Sequence, residues 1–259
     1  MAFPILSPPE QRQEETYMKA TARSFQKATT LVADKARILV GVPALNEEIA
    51  IGSIMLRLLK YTDRLVVIDD GSTDRTAEIA ALAGATVIRH KKNEGKGTSI
   101  KDIFAYARAV EADILVLIDG DGQHNPDEMP LLIDPLLKDE ADMVIGSRFL
   151  AGMSNKVPFY RRFGQEALTL ATNLASGIRV SDTQSGFRAF TKKGFDSFRF
   201  NNQGMAIESE MIVDAALAGL RIKEVPIDVR YDVNGSTYHP LKHGVTVLGK
   251  IIKLMVRKI

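Results

Sequence analysis

No cysteine occurs among the 259 residues, so disulfides, thiolate metal sites and cysteine nucleophiles are excluded and the redox compartment is left undetermined. No apolar stretch approaches the roughly 20 residues needed to span a bilayer. The N-terminal MAFPILSPPEQRQEE lacks a basic leader followed by a long apolar run, so no signal peptide is expected. An excess of one charge is missing too. The 34 basic and 32 acidic residues leave a net charge of +2, and no whole-molecule field argues for nucleic acid. There is no internal repeat, low-complexity tract or obvious linker. What remains is 45% hydrophobic and 25% charged, ordinary for a globular protein with a full core, and one continuous domain fits better than two small ones.

Residues 1–36 are mostly polar and carry no strong pattern; this extension is expected to be a surface helix or partly disordered. From Arg37 the chain alternates. Strand-like runs fall at 37–42, 64–69, 85–90, 113–119 and 142–146, with helix-like runs at about 47–60, 73–83, 97–110 and 126–138. Asn46, Ser72 and Asn125 stand where helix N-caps are expected. Short loops between alternating strands and helices predict right-handed crossovers and a mostly parallel central sheet flanked by helices. The second half is less regular: helices are expected at about 160–175 and 206–218, a strand at 221–231, and an irregular segment at 178–191. Ligands of such sheets bind outside the carboxyl ends of the strands.

The densest chemistry is ILVLIDGDGQHNP at 114–126, an apolar run that stops on Asp119 and Asp121. If the chain stays extended there, the two carboxylates point to one side. At a separation of roughly 5 Å they repel by about 3 kcal/mol at an effective dielectric near 20. A cation or a shared proton relieves that repulsion, so the pair suggests a divalent metal site; an Asp-Gly turn is the bland alternative. Strand one ends in Pro43-Ala44-Leu45-Asn46-Glu47 and strand two in Asp69-Asp70-Gly71-Ser72, so acidic and amide groups collect at three strand ends. A nucleotide diphosphate with Mg²⁺ or Mn²⁺ suits such a crevice. His90-Lys91-Lys92-Asn93-Glu94-Gly95-Lys96-Gly97 adds phosphate partners at a helix start, or is a solvated loop. It is not a P-loop, and no Gly-x-Gly-x-x-Gly follows strand one, which argues against a dinucleotide cofactor.

VPALNEE (42–48), VVIDDGSTDRT (66–76), NEGKGTSI (93–100), LIDGDGQHNP (117–126), VIGSRF (144–149) and DTQSGFRAF (182–190) follow in order. Together they resemble family 2 glycosyltransferases of the GT-A fold, and within them the dolichyl-phosphate mannose and polyprenyl-phosphate glucose synthases. The resemblance covers about 37–235 and implies a Rossmann-like single domain. It also implies an inverting, metal-dependent transfer of one hexose-type sugar from a UDP- or GDP-sugar to a polyprenyl or dolichyl phosphate. It assigns Asp119 and Asp121, with Gln123, to the metal and the diphosphate. Pro43, Ala44, Glu47, Asp70, Lys96 and Gly120 fall to the nucleotide-sugar. Arg148, a basic residue at Arg161 or Arg162, and Arg188 fall to the acceptor phosphate, with a loop-holding salt bridge as the other reading of Arg188. Asp182 lines the sugar and acceptor site, as a base or a positioning group. Asp121, Asp182 and Arg148 are thus the expected catalytic residues.

The tail 236–259 is expected to be a basic amphipathic helix. Leu241, Val245, Leu248, Ile252, Met255 and Ile259 share one face, away from Lys242, Lys250, Lys253 and Arg257. Such a helix suits the cytoplasmic surface of an anionic membrane, or packs its apolar face on the domain or on a second subunit. The transmembrane helices common in that branch are not expected here, which leaves room for a membrane-anchoring partner. Glu208 and Glu210 open a helix-like stretch and favour its positive end, or reach the sugar. Two alternatives stay open: the same donor chemistry on a soluble acceptor, and an inactive nucleotide-sugar-binding protein. A nucleotidyltransferase is disfavoured because VPALNEE stands where its Gly-rich entry would be.

Overall fold

The computed structural model describes residues 36–62, 64–150, 159–200 and 207–230, the side chains of 159–165 excepted. From Arg37 these residues belong to one compact unit. The N-terminal extension and the tail at 236–259 lie outside the described residues. In order, the elements are β1 (Ile38–Ala44), α1 (Ile51–Leu58), β2 (Leu65–Asp69), α2 (Thr76–Leu82), β3 (Thr86–Arg89), α3 (Lys96–Ala109), β4 (Ile114–Leu117), a 3₁₀ turn (Pro126–Glu128) and α4 (Met129–Leu137). They continue with β5 (Met143–Ser147), α5 (Phe159–Ser176), β6 (Arg188–Thr191), α6 (Lys192–Ser197), α7 (Ile207–Leu217) and β7 (Ile222–Pro226).

The sheet has seven strands in the order β3-β2-β1-β4-β6-β5-β7. β1, β2, β4 and β5 are buried along nearly their whole length, which is why they read as unbroken Val, Ile and Leu runs. Each such side chain contributes about 1.5–3 kcal/mol on burial. α3 lays Ile100, Ile103 and Phe104 on this sheet, and the Phe104 ring meets Phe190 of β6 edge-on at 5.3 Å.

β6 departs from expectation. It lies in the segment read as irregular, and it runs antiparallel to both β4 and β5. Arg188, its first residue, pairs in register with Leu117 and Ile145 near the carboxyl ends of those strands. A loop that enters a strand therefore reaches the same edge as loops that leave strands. The caps also differ. Asn125 does cap its turn, accepting a bond from Asp127 N, whereas α1 and α2 have no side-chain cap. Asn46, at φ 56°, instead accepts from Thr73 N (2.8 Å), and Ser72 Oγ accepts from Asn46 N (2.9 Å). Their short polar side chains stitch two loops together rather than starting helices.

Candidate active site

The stitching continues: Glu47 N donates to Thr76 Oγ1 (2.7 Å) and Arg75 N to Glu48 Oε2 (3.0 Å), so the loops after β1 and β2 move as one wall. Asp70 is buried at the end of β2. Its carboxylate accepts from Glu94 N (2.8 Å) and Gly95 N (2.9 Å), and Oδ1 lies 2.7 Å from His90 Nδ1. These bonds draw the loop after β3 against the first wall. Gly71 permits the approach, since at φ 79° a Cβ would strike the Lys92 backbone at 2.6 Å.

β4 ends at Leu117, so Asp119 and Asp121 sit in a turn beyond the strand rather than on an extended run. Alternation does not set their direction; the turn does. Gly120 rests against Pro43 and Ala44 at the end of β1, and Asp121 Oδ1 accepts from Gln123 N (3.0 Å). Burial and the Asp119 charge push the Asp121 carboxyl up to about 6. Burial, then Asp121 and Asp119, push Glu47 up to about 7. For Asp119 burial acts the same way, but the Lys96 ammonium outweighs it and the carboxyl is held below its usual range. Lys96 Nζ lies 2.8 Å from Asp119 Oδ1 and 2.8 Å from Glu208 Oε1.

This donor set fits a hard divalent cation. Asp121 and Glu47 hold protons to unusually high pH first because they are buried and then because each faces other carboxylates, and a bound cation offsets the second cause. Among the described residues no group of three or more His, Asp or Glu side chains converges as a ready ligand shell. That is compatible with an ion such as Mg²⁺, which binds through one or two carboxylates and completes its shell with phosphate and water. Asp119 and Asp121 share one turn, and Gln123, the third expected ligand, is tied to it through its backbone N–H.

Across the edge, Arg148 follows β5 and grips Asp182 at two points, Nε to Oδ2 at 2.6 Å and Nη2 to Oδ1 at 2.7 Å. Burial would raise the Asp182 carboxyl, but the charge and hydrogen bonds of Arg148 prevail and keep it ionised below its usual range. Glu224 of β7 supports the pair from behind, accepting from Ser181 N (2.8 Å) and Asp182 N (3.0 Å).

Arg188 requires a correction. It is fully buried, and its guanidinium donates to the carbonyls of Ser185, Glu208 and Thr183 at 2.8 Å each. It braces the loop before β6 and the start of α7 from inside, and is closed off from an acceptor phosphate. Its partners are backbone carbonyls, not the carboxylate of the alternative salt bridge. Arg161 and Arg162 lie in α5, but their side chains are outside the described residues.

Glu208, expected at the positive end of its helix or reaching the sugar, instead completes the Lys96 bridge, and its Oε2 is buried without a hydrogen-bond partner. Two acids opening an apolar helix were the available signal. His124 is buried beside the Phe187 ring, with Nδ1 unpartnered, and burial brings its pKa down to about 4. Its position next to the Asp-Gly-Asp turn was the clue.

Among the described residues no helix is long and apolar enough to cross a membrane. Comparison with known proteins places the chain. A UDP-N-acetylglucosamine–dolichyl-phosphate N-acetylglucosaminyltransferase of Methanococcus voltae is 31% identical, over 84% of this chain and 92% of the relative. A dolichyl-phosphate hexose transferase of Haloferax volcanii is 30% identical, over 82% of this chain and 91% of the relative. Among solved structures, glucosyl-3-phosphoglycerate synthase from Mycobacterium tuberculosis, in complex with Mn²⁺, UDP and glucosyl-3-phosphoglycerate, superposes with a TM-score of 0.67 at 25% identity. The match covers 90% of this chain and 83% of that one. The mostly parallel sheet with its flanking helices has the GT-A architecture, and residues 39–198 match the profile of glycosyl transferase family 2; the chain belongs to that family.

Proposed function

We propose that this glycosyltransferase moves one hexose-type sugar, with inversion, from a UDP- or GDP-sugar to a polyprenyl or dolichyl phosphate, assisted by Mg²⁺ or Mn²⁺. The observation that carries the reading is the acidic pole of Glu47, Asp119 and Asp121, whose mutual repulsion a metal-bound diphosphate would relieve, facing the Arg148–Asp182 pair across one edge. The names of two relatives supply the lipid-phosphate class, and the Mn²⁺ and UDP of the structural relative support the donor class.

The metal would act as a Lewis acid on the leaving diphosphate. The chain's own residues do the rest. Asp119 and Asp121 fix the diphosphate end of the donor, with Gly120, Pro43 and Ala44 packed behind them. Asp70 and Glu47 border the nucleotide, and Lys96 offers charge to the phosphates. A phosphate oxygen attacks the anomeric carbon as the bond to the diphosphate breaks, the electron pair leaving with the nucleoside diphosphate. The acceptor is already ionised, so the step needs no strong base. Asp182 then serves to aim Arg148 at the acceptor, and orientation of this kind accounts for much of a barrier reduction. Residues 37–235 form the catalytic domain in this reading, and the basic tail at 236–259 rests on the cytoplasmic membrane surface where the lipid phosphate is presented.

A second reading keeps the donor and replaces the lipid by a soluble phosphorylated acceptor, as favoured by the structural relative bound to glucosyl-3-phosphoglycerate. Incubation with Mg²⁺ or Mn²⁺, polyprenyl phosphate and a panel of UDP- and GDP-sugars tests both. Lipid-linked sugar from one donor, lost in Asp121→Ala, supports the first reading. Donor binding with product only on soluble phosphates supports the second. No donor binding overturns both.

A further inference from the structure

His90 follows β3 with its ring largely buried, and both ring nitrogens face carboxylates. Nδ1 lies 2.7 Å from Asp70 Oδ1 and Nε2 lies 2.9 Å from Asp102 Oδ2. A neutral imidazole has one N–H and one lone pair, so it would aim that lone pair at one of two carboxylates. Only the imidazolium donates at both ends. The backbone agrees with a fixed ring: His90 N donates to Asp69 O at 2.9 Å.

The ring ties three segments together. Asp70 directly follows β2 and also receives Glu94 N and Gly95 N. Asp102 belongs to α3, the helix that opens with Lys96. The loop between them, residues 91–95, is held through its backbone by Asp70, and Glu94 O also accepts from Thr98 Oγ1 at 3.0 Å. Lys96, which reaches Asp119, follows directly on this loop, so the histidine-centred clamp borders the residue that carries the cation.

We propose that His90, as an imidazolium, is a positioning residue of the donor site: it holds Asp70 and the loop at 91–95 in the donor-binding geometry, and its deprotonation at alkaline pH loosens that site. The inference rests on the reading that Asp70 and Lys96 belong to the donor site. The groups facing the ring are Asp70, just after β2, and Asp102 from α3. Asp69 is engaged by Arg89 at 2.9 Å, and Lys91, Lys92 and Glu94 are exposed in the loop. Burial pulls the ring's pKa down, but the hydrogen bonds and charges of Asp70 and Asp102 outweigh it and hold it above the usual histidine value.

Binding of UDP and of GDP, each with Mg²⁺, to the full chain from about pH 7 to about pH 9.5 tests the proposal, with histidine ring resonances followed by NMR over the same range. The nucleotide that binds should weaken about tenfold as the His90 resonance titrates, the size expected for a lost hydrogen bond to a charged group. His90→Gln should bind about tenfold more weakly at neutral pH and lose the alkaline fall. Asp102→Asn should move the inflection to lower pH, because one carboxylate that favours the imidazolium is neutralised; a merely structural histidine would leave the inflection in place. If His90→Gln does not fold, the Asp102→Asn inflection carries the test alone. A His90→Gln profile that superposes on the wild type, or an unmoved inflection in Asp102→Asn, would overturn the role of His90 while leaving the donor site standing. A wild type that binds neither nucleotide at any pH would overturn the donor site, and this inference with it.

Discussion

Lys96 Nζ lies 2.8 Å from Asp119 Oδ1, so the helix that begins at Lys96 delivers a cation to the first carboxylate of the Asp-Gly-Asp turn. The same ammonium reaches Glu208, whose side chain is only 5% exposed. Lys96→Met would leave two enclosed carboxylates facing each other without their shared cation. Removing one partner of a buried pair costs about 3–5 kcal/mol. Urea denaturation should show a loss of that order, and Lys96→Met/Glu208→Gln should recover part of it. Equal loss in the single and double variants would mean that Glu208 and Lys96 do not depend on one another.

The acidic pole predicts a pH dependence of metal-linked stability. Asp121 and Glu47 are raised in the fold, to about 6 and about 7. Their contribution to stability is complete below about pH 4 and is lost as pH rises through those values. A divalent ion needs the deprotonated carboxylates and offsets their repulsion. The rise in Tm produced by Mg²⁺ with UDP should therefore be larger at about pH 7.5 than at about pH 5.5. An equal rise at both values would detach the ion from these carboxylates.

Arg188→Met removes the donors of three carbonyls and leaves them buried. Each unsatisfied group costs about 1–3 kcal/mol, so the expected loss is about 3 kcal/mol or more. The folded fraction should keep its acceptor KM within about twofold, because the guanidinium does not reach the crevice. A selective rise in acceptor KM at unchanged stability would return Arg188 to phosphate binding.

A methyl group at residue 186 would meet Asp119 directly: its Cβ falls 2.2 Å from Oδ2 and 2.6 Å from Cγ. Gly186→Ala should displace the carboxylate from Lys96 and lower kcat/KM about 100-fold, the cost of a misplacement near 1 Å. The accompanying loss of stability should stay within about 1–3 kcal/mol. Wild-type turnover in the alanine variant would show that Asp119 has room to spare.

The frame was legible because its signals are local. β1, β2, β4 and β5 announce themselves as short runs rich in Val, Ile and Leu. β6 was not, because Arg-Ala-Phe-Thr is four residues long, opens on a charge, and owes its strand character to partners on both sides. Asn46 and Ser72 were misread as caps because the same short side chains that bond a helix start also bond a neighbouring loop. Asp119 and Asp121 stood out because they are adjacent. The pairs that complete the site, Arg148 with Asp182, Lys96 with Glu208 and His90 with Asp102, join residues distant in the chain, and no spacing rule records them.

The reversed direction of β6 sets where this site is free to vary. Its pairing with β4 and β5 pins Arg188 and, two residues before it, Gly186 over Asp119. Everything ahead of that anchor approaches the rim from the far side, through α5 and the turn at Ser181. Insertions there lengthen the rim without shifting the register of the residues beneath it. Under the proposed reaction, the segment that would select the acceptor is thereby separated along the chain from the Asp-Gly-Asp turn that would hold the donor.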